Sequence, residues 1–414
     1  MATLVLTVVG GIVGGPVGAA IGAMAGQAID AEIFKPKGRE GPRLADLKVQ
    51  ASTYGQQIPQ IFGTMRVAGS VIWATDLIER RSRRGGGKGR PSTTEYSYAV
   101  SLAVALSSRP IGAIRRIWAD GNLLRGASGS FQERCIFRWY HGGEDQPVDP
   151  LIASAVGADS ASAFRGLAYA VFEELELASF GNRIPALTFE IEADGAAIGA
   201  GLVGDALLGE AGRCAGRTGF AGYAASGSRV RDALAPLFDV DAVRLVSAPG
   251  DWRLAPAGTG APPVALAGFR ATRRTESVHD LAETHRAPLS ALPGTIRLRH
   301  YEPARDYQVG QQDARVAGGG RREEAVDLPA VLAAGAAREL ARRMAAAASD
   351  GREARQWHGD LAALALPVGG VAMLADGSTW RIAGRTVKDG AVRIELQRHQ
   401  PLAMAPGSAD PGCR

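Results

Sequence analysis

KVQASTYGQQIPQIFGTMRVAGSVIWATDL, Lys48 to Leu77, is the stretch on which the fold turns. It holds no acidic residue before Asp76, and Gly55, Pro59 and Gly63 break it into short extended pieces. Within it, MRVAGSVIWATD is rich in β-branched and aromatic residues, which suit a pleated, half-buried surface. Strands are therefore expected here, joined by tight turns.

Working outward, the same signature recurs. Tyr98, Val100, Leu102, Val104 and Leu106 alternate with Ala99, Ser101, Ala103, Ala105 and Ser107. Large residues on one face and small ones on the other predict a strand packed on both sides. IRRIWADGNLL (Ile114 to Leu124) reads as strand, Asp-Gly turn and strand. LTFEIEA places Leu187, Phe189 and Ile191 inward. Beyond Ala196 to Gly219, a Gly/Ala-rich connection expected to be flexible or weakly helical, FAGYAASGSRVRDALAPLFDVDAVRLVSAPGDWRLAP reads strand, helix, strand, turn, strand. Ser228 is placed to cap the helix near 228–238. A second, alanine-rich helix is expected over Pro329 to Ala348, with Leu332, Ala336, Leu340 and Met344 on one face and Asp327 and Pro329 at its start. Leu361 to Leu366, Val371 to Leu374, Thr379 to Gly384 and Val392 to Gln397 read as strands of a hairpin set, turning at Asp376-Gly377 and Asp389-Gly390. Trp380 is expected in its core, and Arg381 as a partner for a neighbouring subunit or the helix.

The fold class is thus α+β and β-dominated: antiparallel barrel- or sandwich-like domains with a few packed helices. The expected divisions are an N-terminal segment and linker over 1–43, a first β domain over 44–195, a second over 196–400 and a flexible tail over 401–414.

The first 29 residues carry no charged side chain, and Gly10, Gly14, Gly18, Gly22 and Gly26 recur at every fourth position. On a helix these glycines form one smooth stripe that another backbone can approach closely. Three readings stay open: a glycine-faced helical bundle inside a protein assembly, a membrane-inserting segment, and disordered low-complexity sequence.

Hydrophobic residues at 46% and charged residues at 21%, with a formal net charge of only +5, describe an ordinary folded protein. So mild an excess does not by itself indicate nucleic-acid binding, which concentrates charge on one face. One local cluster stands out. RRSRRGGGKGRP holds Arg80, Arg81, Arg83, Arg84, Lys88 and Arg90. It reads as a solvated hairpin loop or as a loop contacting phosphate or a protein partner. The three cysteines, Cys135, Cys214 and Cys413, are odd in number and lack metal or redox spacing, so free thiols and synthesis in the cytoplasm are expected. His141, Glu144, Asp145 and Asp149 crowd a Gly- and Pro-rich stretch without the helical placement of a zinc protease, and read as a polar loop before a helix. No nucleophile elbow, P-loop, zinc signature or dinucleotide fingerprint is present. No catalytic, metal or cofactor-binding residue is therefore expected.

YG-x-x-IP-x-x-x-G-x-x-R-V-x-G-x-x-I-W-A-x-D in the opening stretch, GGKG before YSY, RIWADG, HGGEDQPVDPLIAS, RGLAYAVFEELELASFGNRIPALTFEIEAD and DYQ-x-G follow one another in this order. The chain resembles the tail-tip, or baseplate-hub, proteins of long-tailed phages and gene transfer agents. That resemblance implies a structural protein of the virion tail, made in the bacterial cytoplasm, that forms a homotrimeric hub. Such a hub closes the tail tube, anchors distal tail proteins and lets DNA pass through its lumen without sequence-specific binding. It also brings contact with the host cell envelope into view. A membrane-penetrating role for the glycine-rich N-terminus is the alternative, and a wall-degrading tail enzyme a further one.

Overall fold

A computed structural model describes residue 55 and residues 57–84, 93–195, 198–209, 219–240, 243–248, 251–256, 263–266, 282–388 and 391–398. The chain divides into two compact units, Met1–Arg43 and Leu44–Arg414, and all described residues belong to the second. The glycine stripe, Lys88, Arg90 and the Asp389-Gly390 turn lie outside them.

In chain order the elements begin with β1 (Gln60–Ala68), β2 (Ser70–Ala74), β3 (Ile78–Arg84), β4 (Thr93–Ser107), β5 (Ala113–Ala119), β6 (Asn122–Arg125) and β7 (Ile136–Tyr140). Then come α1 (Pro150–Val156), β8 (Ala168–Glu176), β9 (Leu187–Glu192), α2 (Ala200–Leu208), β10 (Gly222–Ala225) and α3 (Val230–Val240). A hairpin of β11 (Val243–Ala248) and β12 (Asp251–Pro256) follows, with β13 (Val264–Ala265), β14 (Ala282–Arg286), β15 (Thr295–Glu302), β16 (Gln308–Arg315) and β17 (Glu323–Val331). The last are α4 (Ala334–Asp350), β18 (Glu353–Gly359), β19 (Val371–Met373), β20 (Thr379–Lys388) and β21 (Ala391–Arg398). The protein is β-dominated α+β with several mainly antiparallel sheets, none closed into a barrel among the described residues.

The largest sheet has eight strands in the order β16-β15-β17-β10-β1-β9-β5-β6. β1, from the opening stretch, lies at its centre and changes partner half-way. Gln60 to Gly63 pair with β10, and Thr64 to Ala68 pair with β9 on the other edge. Gly63 sits at the change with φ +65°, and a Cβ there would lie 2.3 Å from the Ala221 carbonyl oxygen. Gly222 opposite is equally tight, its Cβ position being 2.2 Å from the Thr64 oxygen. Only glycine tolerates both the left-handed backbone and the close approach. The sheet thereby runs across residues 195 and 196, where the sequence divides the two expected β domains.

After Gly69 the chain passes to a five-stranded sheet, order β2-β4-β8-β7 with β3 also on β4. β4 matches the predicted alternation. Its large face, Val100, Leu102, Val104 and Leu106, enters one core with Ile61, Met65, Val67, Phe172, Phe189 and Ile191. Ala103 on its small face packs with Ile152, Tyr169 and Val171 under α1. A second core sets Phe62, Tyr223, Ile296 and Leu298 against α2, α3 and α4. A third lies in the six-stranded sheet of β13, β14 and β18–β21, where Trp380 is fully buried.

Several expectations need correction. Arg80 to Arg84 belong to β3, in register with Thr93 to Ser97, because a β ladder satisfies backbone groups that a loop would leave to water. In the connection expected to be flexible or weakly helical, residues 200–208 take the helical alternative as α2, and it is packed rather than flexible, with Ala200 and Val203 buried. Pro329 does not open a helix: Leu328, Ala330 and Val331 are buried in β17, and α4 begins at Ala334. Its buried face is consequently Ala337, Leu340, Ala341 and Ala345, while Ala336 is exposed. Leu361–Ala365 is a 3-10 turn capped by the Asp360 carboxylate, not a strand. Ser228 meets the Asp232 carboxylate (3.2 Å), and the first turn of α3 is closed on the Arg229 carbonyl. Arg381 donates to the Gln397 side chain across the β20–β21 ladder.

Candidate functional site

Alternation on β1 and β9, and a register shift in β5, send apolar residues into the core and leave Arg66, Arg116, Trp118 and Glu190 on the opposite face. Arg66 lies directly across from Glu190 in the ladder. The Arg66 guanidinium sits 4.0 Å from the Trp118 ring and that of Arg116 4.8 Å from it, both in cation–π range. Arg116 grips Glu190 through Nε at 2.6 Å and reaches Asp306 through Nη1 at 2.7 Å. The Tyr307 hydroxyl donates to Glu190 at 2.8 Å. Asp306 and Tyr307 form the turn between β15 and β16, both with positive φ (51° and 61°). A turn from the second half of the chain is therefore locked onto a sheet face from the first. Burial raises the Glu190 pKa, but Arg116 and Tyr307 outweigh it and hold the carboxyl below its ordinary range. Tyr307 is pushed up, first by burial and then by Glu190.

Two further nodes have the same character. Arg109 binds Asp194 through two bonds of 2.7 Å, and Asp194 also accepts from the Gly63 N–H at 2.9 Å. Asp149, fully buried, caps α1 through the Leu151 and Ile152 amides while receiving Arg138 Nε at 2.9 Å and the Tyr140 hydroxyl at 2.9 Å. Burial raises the Asp149 pKa, yet the bonds from Arg138 and Tyr140 bring it below the ordinary value.

The loop cluster thus separates. Asp149 is structural, Glu144 and Asp145 are exposed, and His141 Nδ1 lies 3.2 Å from the Ile111 carbonyl oxygen with its ring against Trp139. Among the described residues no group of three or more His, Cys, Asp or Glu side chains is placed to hold a metal ion. Cys135 is a free thiol, pushed up to about 11 by burial. Of the six basic candidates, Arg80 is paired with Glu174 (2.5 Å) and Glu176 (3.0 Å), and Arg81, Arg83 and Arg84 follow it along β3. Among the described residues these nodes lock turns and sheet faces together by charge.

Nothing in the sequence singles out the node around Trp118. Period-2 alternation in LTFEIE puts Glu190 on the outer face, but in IRRIWA it would put Ile114 beside Arg116 and Trp118, and a register shift between Ile114 and Ile117 is what brings both isoleucines into the core. Nothing local predicts that residues 306–307 dock there.

Residues 229–385 match a family model described as a putative phage tail protein, Phage-tail_3. The chain is similar to one in the virion of a native gene transfer agent particle. The two share 26% identity over 95% of this chain and 99% of that one, with a TM-score of 0.70. The 43 kDa tail protein of prophage MuSo2 from Shewanella oneidensis matches at 10% identity over 78% and 98% of the two chains, with a TM-score of 0.33. A tail protein from Neisseria meningitidis MC58 matches at 10% over 81% and 97%, with a TM-score of 0.37. At such scores these two carry no detail of arrangement. Among curated proteins no sequence matches.

Proposed function

We propose that this protein is a structural component of the tail of a phage-like particle, and that its place there is the tip. There it forms a homotrimeric hub that closes the tube and holds the distal tail proteins. The observation that carries this reading is the end-to-end similarity to the gene transfer agent virion chain, at 26% identity and a TM-score of 0.70. The match of residues 229–385 to a putative phage tail protein family supports it independently of the first half. The site chemistry is consistent with a scaffold: the best-placed carboxylates, Asp149, Glu190 and Asp194, are committed to arginines that join elements.

Labelling the C-terminus and imaging particles by negative stain tests the position, with label expected at the distal end of the tail. Label on the head or along the whole tube would overturn the hub reading. Light scattering across a wide concentration range tests the oligomer, with a trimer mass expected. A persistent monomer, even with its neighbouring tube protein added, counts against a hub.

A further inference from the structure

Where α4 hands the chain on to the six-stranded sheet, a cavity of about 350 Å³ is lined by Arg286, Ser349, Asp350, Arg352, Glu353 and Arg398. Ser349 and Asp350 end the helix, Glu353 opens β18, Arg286 closes β14 and Arg398 closes β21. Strand register gathers the charges. Glu353 lies directly across from Arg286, and Ala354 across from Gln397 on the other side of β18, which brings Arg398 next to Glu353.

The three guanidiniums are held in place but keep open N–H groups. Arg352 Nε donates to the Ala287 carbonyl oxygen at 2.6 Å, and the Ala287 N–H donates back to the Arg352 carbonyl oxygen at 3.0 Å. Among the described residues the Arg352 side chain makes no other hydrogen bond. Arg286 and Arg398 both turn to Glu353, at 3.6 and 3.5 Å, beyond ordinary N–H···O distances. The Arg398 guanidinium also stands 5.5 Å from the Trp380 ring. One resident carboxylate is thus shared loosely by two arginines, while the third carries only a carbonyl oxygen. Three positive charges set against Glu353 and Asp350 leave one in excess.

That excess suits a single negative charge, and planar guanidinium forks match a carboxylate. The lining is charged or hydroxylic throughout, without the apolar wall on which the body of a small organic ligand rests. A free monoanion gains little from partly exposed arginines. The same group on a protein already held alongside meets the pocket at a far higher effective concentration.

We infer that this pocket receives one carboxylate from an acidic segment of another protein, an aspartate or glutamate side chain that takes up the open N–H groups of Arg286, Arg352 and Arg398. Only the presence of neighbouring proteins is taken from the tail reading; the chemistry of the pocket stands apart from it.

The test is fluorescence anisotropy of the full-length protein with a labelled hexaglutamate peptide at about 50 mM salt, with hexaglutamine as the uncharged control. Hexaglutamate should bind and hexaglutamine should not. Arg286→Gln together with Arg398→Gln should weaken binding at least about fivefold, and lysine at both positions should recover most of it because the charge is kept. Arg342→Gln, at an exposed position of α4 outside the pocket, should leave the affinity at the parent value. Inorganic phosphate at about 1 mM should displace no more peptide than chloride of equal ionic strength. Absence of hexaglutamate binding overturns the proposal, and so does a glutamine pair with unchanged affinity. Displacement by phosphate assigns the pocket to a free phosphate anion and overturns the protein partner. Failure of the tail reading shows differently, as peptide binding retained by a protein absent from particles.

Discussion

At Gly63 two constraints meet, a positive φ and a carbonyl oxygen 2.3 Å from where a Cβ would stand. Gly63→Ala should therefore cost at least about 2 kcal/mol, since both the backbone and the β1–β10 crossing must shift. Chemical denaturation measures it, and a loss under about 0.5 kcal/mol, the range of ordinary surface changes, would show that the crossing can relax. His300 is fully buried on β15, with Glu302 3.5 Å from its Nε2 and Gly310 packed against the ring. Burial lowers its pKa from the ordinary 6.5, opposed by the neighbouring Glu302 carboxylate. The unfolded chain thus takes up a proton that the folded protein refuses. Stability should fall as pH drops below about 6.5, until the lowered folded value is reached. His300→Gln should flatten the stability curve in that window; an unchanged slope in urea titrations from pH 7 to pH 5 would remove His300 as its source.

Helix α4 shows how an element earns its place through one face. Leu340 is fully buried against the eight-stranded sheet, whereas Arg342 two positions on is exposed. Leu340→Ala should destabilise by about 3 kcal/mol through lost transfer energy and the cavity left behind. Arg342→Ala should stay within about 0.5 kcal/mol. Equal effects in thermal melts would mean that the helix is not packed as described. The helix was legible from its alanine-rich periodicity, but its start was not. Pro and Asp before an apolar run are common at a first turn. Here the run LPAV is instead taken up by the sheet, where β15 and β10 supply the ladder partners on either side. The same competition explains β3, whose charges suggest a loop while its backbone pairs residue by residue with β4.

Among the described residues, the four apolar clusters and the arginine–carboxylate nodes all lie within Leu44–Arg414. Removing residues 1–43 should leave the melting temperature of the remainder within a degree or two, because no described core residue is lost. Particle assembly or DNA delivery should suffer instead. A truncated protein that no longer folds would make the N-terminal segment part of the core, and both the bundle and the membrane readings of the glycine stripe would lose their basis.

By itself the sequence determined the β-dominated class, β4 with its large and small faces, the Asp120-Gly121 hairpin, the order of elements from β10 to β12, and the burial of Trp380. Each is written in a period of two, a turn dipeptide or a long apolar face, all of which act over a few residues. Tertiary structure decided that β1 serves two partner strands, that residues 306–307 close onto Arg116 and Glu190, and that Asp149 is a buried cap rather than a member of an acid–base pair. Those outcomes depend on groups from 9 to 190 residues apart competing for the same hydrogen bonds and the same buried space. Local propensity carries no record of which of them wins.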